Sequence, residues 1–245
     1  MSALRFISAG ILFTGFIMAS SAQYDGFLLG RWIGPAQLIQ TEIVQNDLKL
    51  DEQQIKQVMK WATDFLAKYR EKLAVLLKLP SDERREKIVS LLAESRKIAY
   101  EELGKILKPE KLERLRQIER RASGVKVLLD EETAGPLKMT DDQRSKVKET
   151  VKKIDEELQS AFSESKGSKE KFSSKENFEK LWRQRLDLEA TGLMRIKELL
   201  TSEQQKAWEK QVGEPIDLAK LHQEIARQLP QPKEKLPQPK EKKEK

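Results

Sequence analysis

The chain holds 245 residues, with 47 Lys and Arg against 40 Asp and Glu, one His and no Cys. Without Cys there is no disulfide scaffold, thiolate metal site, iron–sulfur cluster, cysteine nucleophile or lipid-modified thiol, and a single His excludes a His-rich metal centre. Charged residues at 36%, apolar residues at 38% and a mean hydropathy of −0.66 fit a helix-rich or elongated protein better than an enzyme with two covered faces.

Met1 to Arg5 is a short, weakly positive start, Phe6 to Ala19 is an apolar run, and Ser20-Ser21-Ala22 supplies small residues before Gln23. This order predicts a secretory signal peptide over 1–22, with an uncleaved anchor as the alternative. The apolar run is shorter than the roughly 20 residues that a helix needs to cross a bilayer. An N-terminal arm follows over 23–47, with Trp32 in the glycine-flanked stretch Gly30-Arg31-Trp32-Ile33-Gly34.

A first helical unit is expected over 48–130. From Asp51 to Lys78 the residues Ile55, Val58, Ala62, Phe65, Tyr69, Leu73 and Leu76 keep a three-and-four spacing that paints one apolar stripe on a helix. Pro80-Ser81-Asp82 interrupts it, with Ser81 as N-cap of a second helix whose stripe is Ile88, Leu91, Ser95, Ile98, Leu103 and Ile106. Two helices of similar length with so short a joint bury their stripes as an antiparallel hairpin. Pro109 opens a shorter third helix with Leu112, Leu115, Ile118 and Ala122, closed by Ser123-Gly124.

The plan then repeats over 131–228. Leu48-Lys49-Leu50-Asp51-Glu52-Gln53-Gln54 aligns with Leu137-Lys138-Met139-Thr140-Asp141-Asp142-Gln143, and each opens a long helix. The second long helix carries Val147, Val151, Ile154 and Leu158, a polar break covers Ser163 to Ser173, and the return helix carries Phe178, Leu181, Trp182 and Leu188. Leu200-Thr201-Ser202-Glu203-Gln204 then starts a short element, as Pro109 does in the first half, and an amphipathic C-terminal helix follows. The expected fold class is all-α: tandem long antiparallel helical hairpins with shorter third helices. A disordered C-terminal tail ends the chain over 229–245, where Leu229-Pro230-Gln231-Pro232-Lys233-Glu234-Lys235 is repeated letter for letter by Leu236 to Lys242.

Thr140 and Thr201 stand where helices begin, each followed three residues later by Gln143 or Gln204, and Asp51 with Gln54 repeats the relation. In such a capping box the cap side chain accepts the N3 amide hydrogen bond while the Gln reaches back to the N–H of the cap. Helix initiation accounts for the spacing; contact of these Gln side chains with a partner is the alternative.

Leu200-Thr201-Ser202-Glu203-Gln204 matches the L-T-x-x-Q motif of the small helical periplasmic proteins of the Spy and CpxP type, Met139-Thr140-Asp141-Asp142-Gln143 matches it with Met for Leu, and Leu50-Asp51-Glu52-Gln53-Gln54 has Asp for Thr. Over roughly Gln45 to Gly213 the chain resembles two such proteins in tandem, a layout similar to that of larger secreted proteins of planctomycete-like bacteria. The resemblance implies long bent helical hairpins, export to the periplasm or beyond, and a role as an envelope-stress chaperone or signalling inhibitor; some relatives respond to metals.

A chaperone of this kind needs a surface of mixed basic and apolar character. Arg114, Arg116, Arg120 and Arg121 crowd one short helix and are the candidate client or partner contacts, against the plainer reading of a solvated charged face. Without the leader and the tail, Gln23 to Gln228 carries 40 basic and 37 acidic residues, so the body is nearly balanced and nucleic acid is not an expected partner. No glycine-rich phosphate cradle, H-E-x-x-H or nucleophile with a His base is present. His222 with Glu224 or Asp217 offers two ligands where a transition metal needs three or four. Catalytic, cofactor-binding and metal-binding residues are therefore expected to be none. The functional expectation is an exported, non-enzymatic holding protein of the cell envelope, whose partners are unfolded or envelope proteins. The alternative is a helical interaction scaffold that self-associates. No integral membrane span is expected after signal cleavage.

Overall fold

The computed structural model describes residues 33–166 and 175–228; the expected signal peptide, the first part of the arm (23–32, including Trp32), the joint at 167–174 and the Pro/Lys-rich tail lie outside them. Met1–Trp32 and Ile33–Lys245 are separate units. Every regular element among the described residues is helical: α1 Pro35–Leu38, α2 Glu42–Asp47, α3 Glu52–Leu76, α4 Ser81–Leu103, α5 Pro109–Ala122, a 3-10 segment η1 Gly124–Leu129, α6 Glu131–Leu137, α7 Asp141–Lys166, α8 Lys175–Leu199, α9 Ser202–Val212 and α10 Leu218–Gln228. None of these helices is long and apolar enough to cross a membrane.

The long helices pair through their stripes. Trp61 Nε1 donates to Glu102 at 2.7 Å and Lys72 meets Glu94 at 3.4 Å, which sets α3 antiparallel to α4. Gly192 on α8 lies so close to α7 that a Cβ there would fall 2.0 Å from the Ile154 Cδ1 methyl. In α3 the fully buried positions are Val58, Ala62, Phe65 and Tyr69; in α7 they are Val147, Val151, Ile154 and Leu158, each 89 positions later. After the joints the offset becomes 93, with Leu103, Leu107 and Leu115 buried in the first half and Ile196, Leu200 and Trp208 in the second. Each buried aliphatic side chain contributes roughly 1.5–3 kcal/mol by leaving water, so the stripes are the main source of stability. At the α3–α4 joint Pro80 occupies the N-cap position, one place before the expected cap Ser81, which is instead the first helical residue; the fixed φ of Pro80, −54°, feeds the chain into the first turn.

The arm is the largest departure from the sequence expectation. Ile33, Ala36, Leu38, Ile39, Val44 and Leu48 are all buried, and they share one core with Val58, Phe65, Leu103, Leu115 and Ile118. Residues 33–47 therefore form the centre of the first unit instead of preceding it. Their counterparts 89 positions on are η1 and α6, where Val127, Leu128, Thr133 and Leu137 are buried. The backbone repeats as well: the positive-φ residues among those described are Lys49 and Lys138 (φ 49° and 48°) and Gly124 and Gly213 (φ 64° and 62°), two pairs each 89 apart. Lys138 ends α6 in the left-handed conformation that closes a helix, while Lys49 takes it just after α2.

The C-terminal helix, expected as an appendage of the second unit, packs on α1 and α2. Leu221 and Ile225 join the first core, Glu224 accepts the Ile43 N–H at 3.2 Å, and Gln228 Nε2 donates to the Gln37 carbonyl at 3.3 Å. The last helix thus seals the first unit.

Candidate functional site: the paired caps and the junction between the halves

All three capping boxes form. Gln54 N donates to Asp51 Oδ1 at 2.8 Å and Asp51 N to Gln54 Oε1 at 3.3 Å; the Thr140–Gln143 pair closes at 3.2 and 2.9 Å, and Thr201–Gln204 at the same two distances. Less legible in sequence is that the glutamines meet. Gln143 Nε2 donates to Gln204 Oε1 at 2.9 Å while Gln204 Nε2 donates to Gln143 Oε1 at 3.0 Å. Gln143 Nε2 also reaches the Leu199 carbonyl at 2.8 Å, and Gln204 Nε2 the Lys138 carbonyl at 3.5 Å. Two donors and two acceptor sites per amide are thereby filled, which no carboxylate could do. The pair ties the start of α7 to the start of α9.

The first half makes the same tie with different chemistry. Lys111, 93 positions before Gln204, donates its Nζ to Gln54 Oε1 at 2.9 Å and to the Lys49 carbonyl at 2.7 Å, the counterpart of the Lys138 carbonyl. An ammonium with three donors replaces an amide with two.

The four arginines expected as partner contacts are engaged within the chain. Arg114 grips Asp47 with Nε and Nη2 at 2.7 and 2.9 Å and reaches the Glu214 carbonyl at 3.0 Å. Arg120, 7% exposed, donates to the Gln211 carbonyl at 3.1 Å, and Arg121 to the carbonyls of Val212 and Gly213. Arg116 lies over the Tyr100 ring at 4.8 Å and pairs with Glu113 at 3.6 Å. Three guanidinium groups of α5 therefore donate to the carbonyls at and just beyond the end of α9, where the helix dipole is negative and the last carbonyls lack partners within the helix. Burial and the neighbouring Arg114 pull the Arg121 pKa down from its ordinary value.

Beside the junction a buried polar cluster holds α5 to α4. Glu119, 2% exposed, accepts from Tyr100 Oη at 2.7 Å and Arg96 Nε at 3.1 Å, and Arg96 also meets Asp130 at 3.0 Å. Burial raises the Glu119 pKa above the ordinary carboxylate value even with Arg96 adjacent, and the Tyr100 phenol is pushed well above its own by burial and by the Glu119 charge.

A shallow cleft of about 600 Å³ runs between Gln117 and Arg121 of α5, Lys197 of α8, Glu209, Lys210 and Val212 of α9, and the Gly213–Pro215 turn. Lys197 and Glu209 face each other across it at 3.6 Å. Met194, 60% exposed, sits one turn before Lys197 on the same helix.

His222 is 2% exposed in α10. Its two suggested carboxylate companions have other work: Asp217 caps α10 by accepting the Lys220 N–H at 2.9 Å, and Glu224 binds the N-terminal end of α2. Among the described residues no group of three or more His, Asp or Glu is placed to hold a metal ion. Trp61 finds its acceptor in Glu102 and Trp208 is 3% exposed; the Trp182 side chain lies outside the described residues. Compared with known proteins, the chain matches no protein-family model, no curated protein and no solved structure.

Proposed function

We propose that this chain is an exported, non-enzymatic binding protein of the cell envelope that holds a partly unfolded polypeptide without nucleotide. In this reading the chain is an internal duplication, two helical-hairpin units in tandem with an extended tail, supported by the 89-position recurrence of buried residues and left-handed turns. The observation that carries the function is the cleft at the junction, where Lys197 and Lys210 stand with Gln117, Pro215 and the acidic Glu209 and Glu214. Such a surface takes an acidic and apolar chain segment weakly, and a client that folds withdraws its apolar side chains and leaves.

Light scattering of a chemically unfolded client tests this directly. The protein without its leader should suppress aggregation near stoichiometric ratio without ATP. Lys197→Glu with Lys210→Glu should slow capture severalfold while changing stability by no more than about 0.5 kcal/mol, since both lie away from the core. A second reading, a scaffold that self-associates, is favoured by the engagement of the α5 arginines and the apolar stripes within the chain. Aggregation left unchanged at every ratio, with a molar mass that climbs with concentration, would replace the first reading by the second.

A further inference from the structure

The last helix breaks the order of the repeat. In each half an arm packs on the hairpin that follows it: α1 meets α3, α4 and α5, and η1 meets α7 and α8. The two arms bury matching positions 89 apart, Leu38, Ile39 and Val44 in the first and Val127, Leu128 and Thr133 in the second. A further 89 positions on, Gly213 repeats the left-handed φ with which Gly124 opens the second arm, and buried His222 falls where Val44 and Thr133 stand. α10 is therefore placed as a third arm, but the sequence after it is the Pro/Lys-rich stretch and not a box that opens another hairpin. It seats instead on α1 and α2, the arm of the first half. A contact between the last arm and the first is heterologous, since its two faces belong to opposite ends of the repeat array. One chain satisfies it by folding back on itself; a second copy satisfies it with the same atoms in contact.

The link from α9 to α10 decides between the two. It runs from Gly213 to Asp217, and Gly213 takes φ 62° with ψ −157°, a conformation nearly confined to glycine. Arg121 holds the Gly213 carbonyl and Arg114 the Glu214 carbonyl, while the same Arg114 grips Asp47 at the end of α2. One turn thus aims α10 at its own arm, and one guanidinium fastens that turn to the seat. The contacts of α10 itself are Leu221 and Ile225 in the first core, Glu224 on the Ile43 N–H and Gln228 on the Gln37 carbonyl. None of these depends on which copy supplies the helix. We propose that α10 is an exchangeable latch: when the Gly213 turn opens, α10 leaves its own arm and closes the arm of a second copy, joining two chains by a reciprocal domain swap. A short link holds α10 beside its own arm at an effective concentration on the order of millimolar. The closed single chain therefore prevails in dilute solution, and exchanged pairs form where chains are concentrated or fold together. The inference does not rest on the holding reading.

The chain has no Cys, so single introduced thiols report on α10 without background. Full chain carrying Gln37→Cys is mixed with full chain carrying Gln228→Cys, unfolded in urea, refolded together at high concentration and treated with a short bismaleimide. Because Gln228 adjoins Gln37 in the closed chain, a covalent heterodimer forms when α10 of one copy sits on the arm of the other. Random pairing makes about half of the exchanged pairs linkable. The same two chains refolded separately and mixed when dilute should stay unlinked, and a chain carrying both substitutions should link within itself. Gly213→Ala, whose Cβ would fall 2.0 Å from Gln117 Oε1 in the closed turn, should raise the exchanged fraction roughly tenfold. A light-scattering mass that stays that of one chain after joint refolding, for the parent and for Gly213→Ala, would overturn the proposal. Doubled mass without the covalent heterodimer would overturn it too, assigning self-association to another surface.

Discussion

Truncating Gln143 to Ala should cost more than truncating Thr140, although Thr140 is the residue in the cap position. Thr140 Oγ1 accepts a single hydrogen bond, from Gln143 N at 3.2 Å. Its loss is worth about 1 kcal/mol by the usual N-cap scale. The Gln143 amide makes four: it accepts from Thr140 N at 2.9 Å and Gln204 Nε2 at 3.0 Å, and donates to the Leu199 carbonyl at 2.8 Å and Gln204 Oε1 at 2.9 Å. The site is half-buried, so each bond belongs near the low end of the net range, about 0.5 kcal/mol, and the set sums to roughly 2 kcal/mol. Urea melts should show Gln143→Ala lowering the midpoint about twice as far as Thr140→Ala with no change in slope. In a thermal melt the same loss is about 4–8 °C for a domain of this size. Gln143→Ala and Gln204→Ala share two of the bonds, so the double variant should fall short of additivity by about 1 kcal/mol. Thr140→Ala costing as much as Gln143→Ala, or a strictly additive cycle, would refute the paired-amide tie and leave only independent caps.

Gly213→Ala should destabilise by about 1–3 kcal/mol, because φ 62° with ψ −157° belongs almost wholly to glycine and the new Cβ would fall 2.0 Å from Gln117 Oε1; chemical denaturation reads the loss. Glu119 has a folded-state pKa raised by burial, so the folded state binds its proton more tightly than the unfolded one. The stability of the parent relative to Glu119→Gln should therefore increase as pH falls from neutral through the raised value, level off below the ordinary carboxylate value, and be smallest above both, as measured by urea melts across that range. Glu119→Val alone strands Arg96 against a single remaining carboxylate, Asp130, and should cost about 1–3 kcal/mol. Adding Arg96→Leu and Tyr100→Leu should recover much of that loss, since a buried ionic cluster can be replaced by packed apolar side chains at little net cost.

The long helices were legible because their burial follows the 3.6-residue period: Val58, Ala62, Phe65 and Tyr69 sit on one face of α3 by spacing alone, although on and after α4 Ala99 and Leu107 take the buried places expected for Ile98 and Ile106. The caps were legible because an N-terminal box is local, its donor and acceptor three residues apart. The arm was not. Pro35–Leu38 and Glu42–Asp47 are too short to show a period, and their apolar residues matter only through α3, α4 and α5, which lie far along the chain. One signal was present and unused: the Lys49 to Lys138 offset, continued backwards, carries residues 33–48 onto Val127, Leu128 and Leu137. The junction was hidden for a different reason. A run such as Arg120-Arg121 reads as a solvated charged face until the end of α9 is placed against it, and the carbonyls it binds are backbone atoms that leave no mark in the sequence.

Comparison of the two halves separates what the fold requires from what it tolerates. The tie between the first and third helices is kept in both, as Gln143 with Gln204 and as Gln54 with Lys111, so the requirement is for a donor reaching two particular oxygens and not for one side chain. Position 119 tolerates more: the first half buries Glu119 under Arg96 and Tyr100, while 93 positions later Val212 is buried as an ordinary apolar residue. The third helices also differ in length, 14 residues in α5 against 11 in α9. The added turn of α5 is where Arg120 and Arg121 sit, and with Arg114 they close over the end of the shorter helix. A three-residue difference between two otherwise equivalent helices thus supplies the groups that join the halves. Those guanidinium groups are held by carbonyls, so the lysines that the junction leaves toward solvent are Lys197 and Lys210.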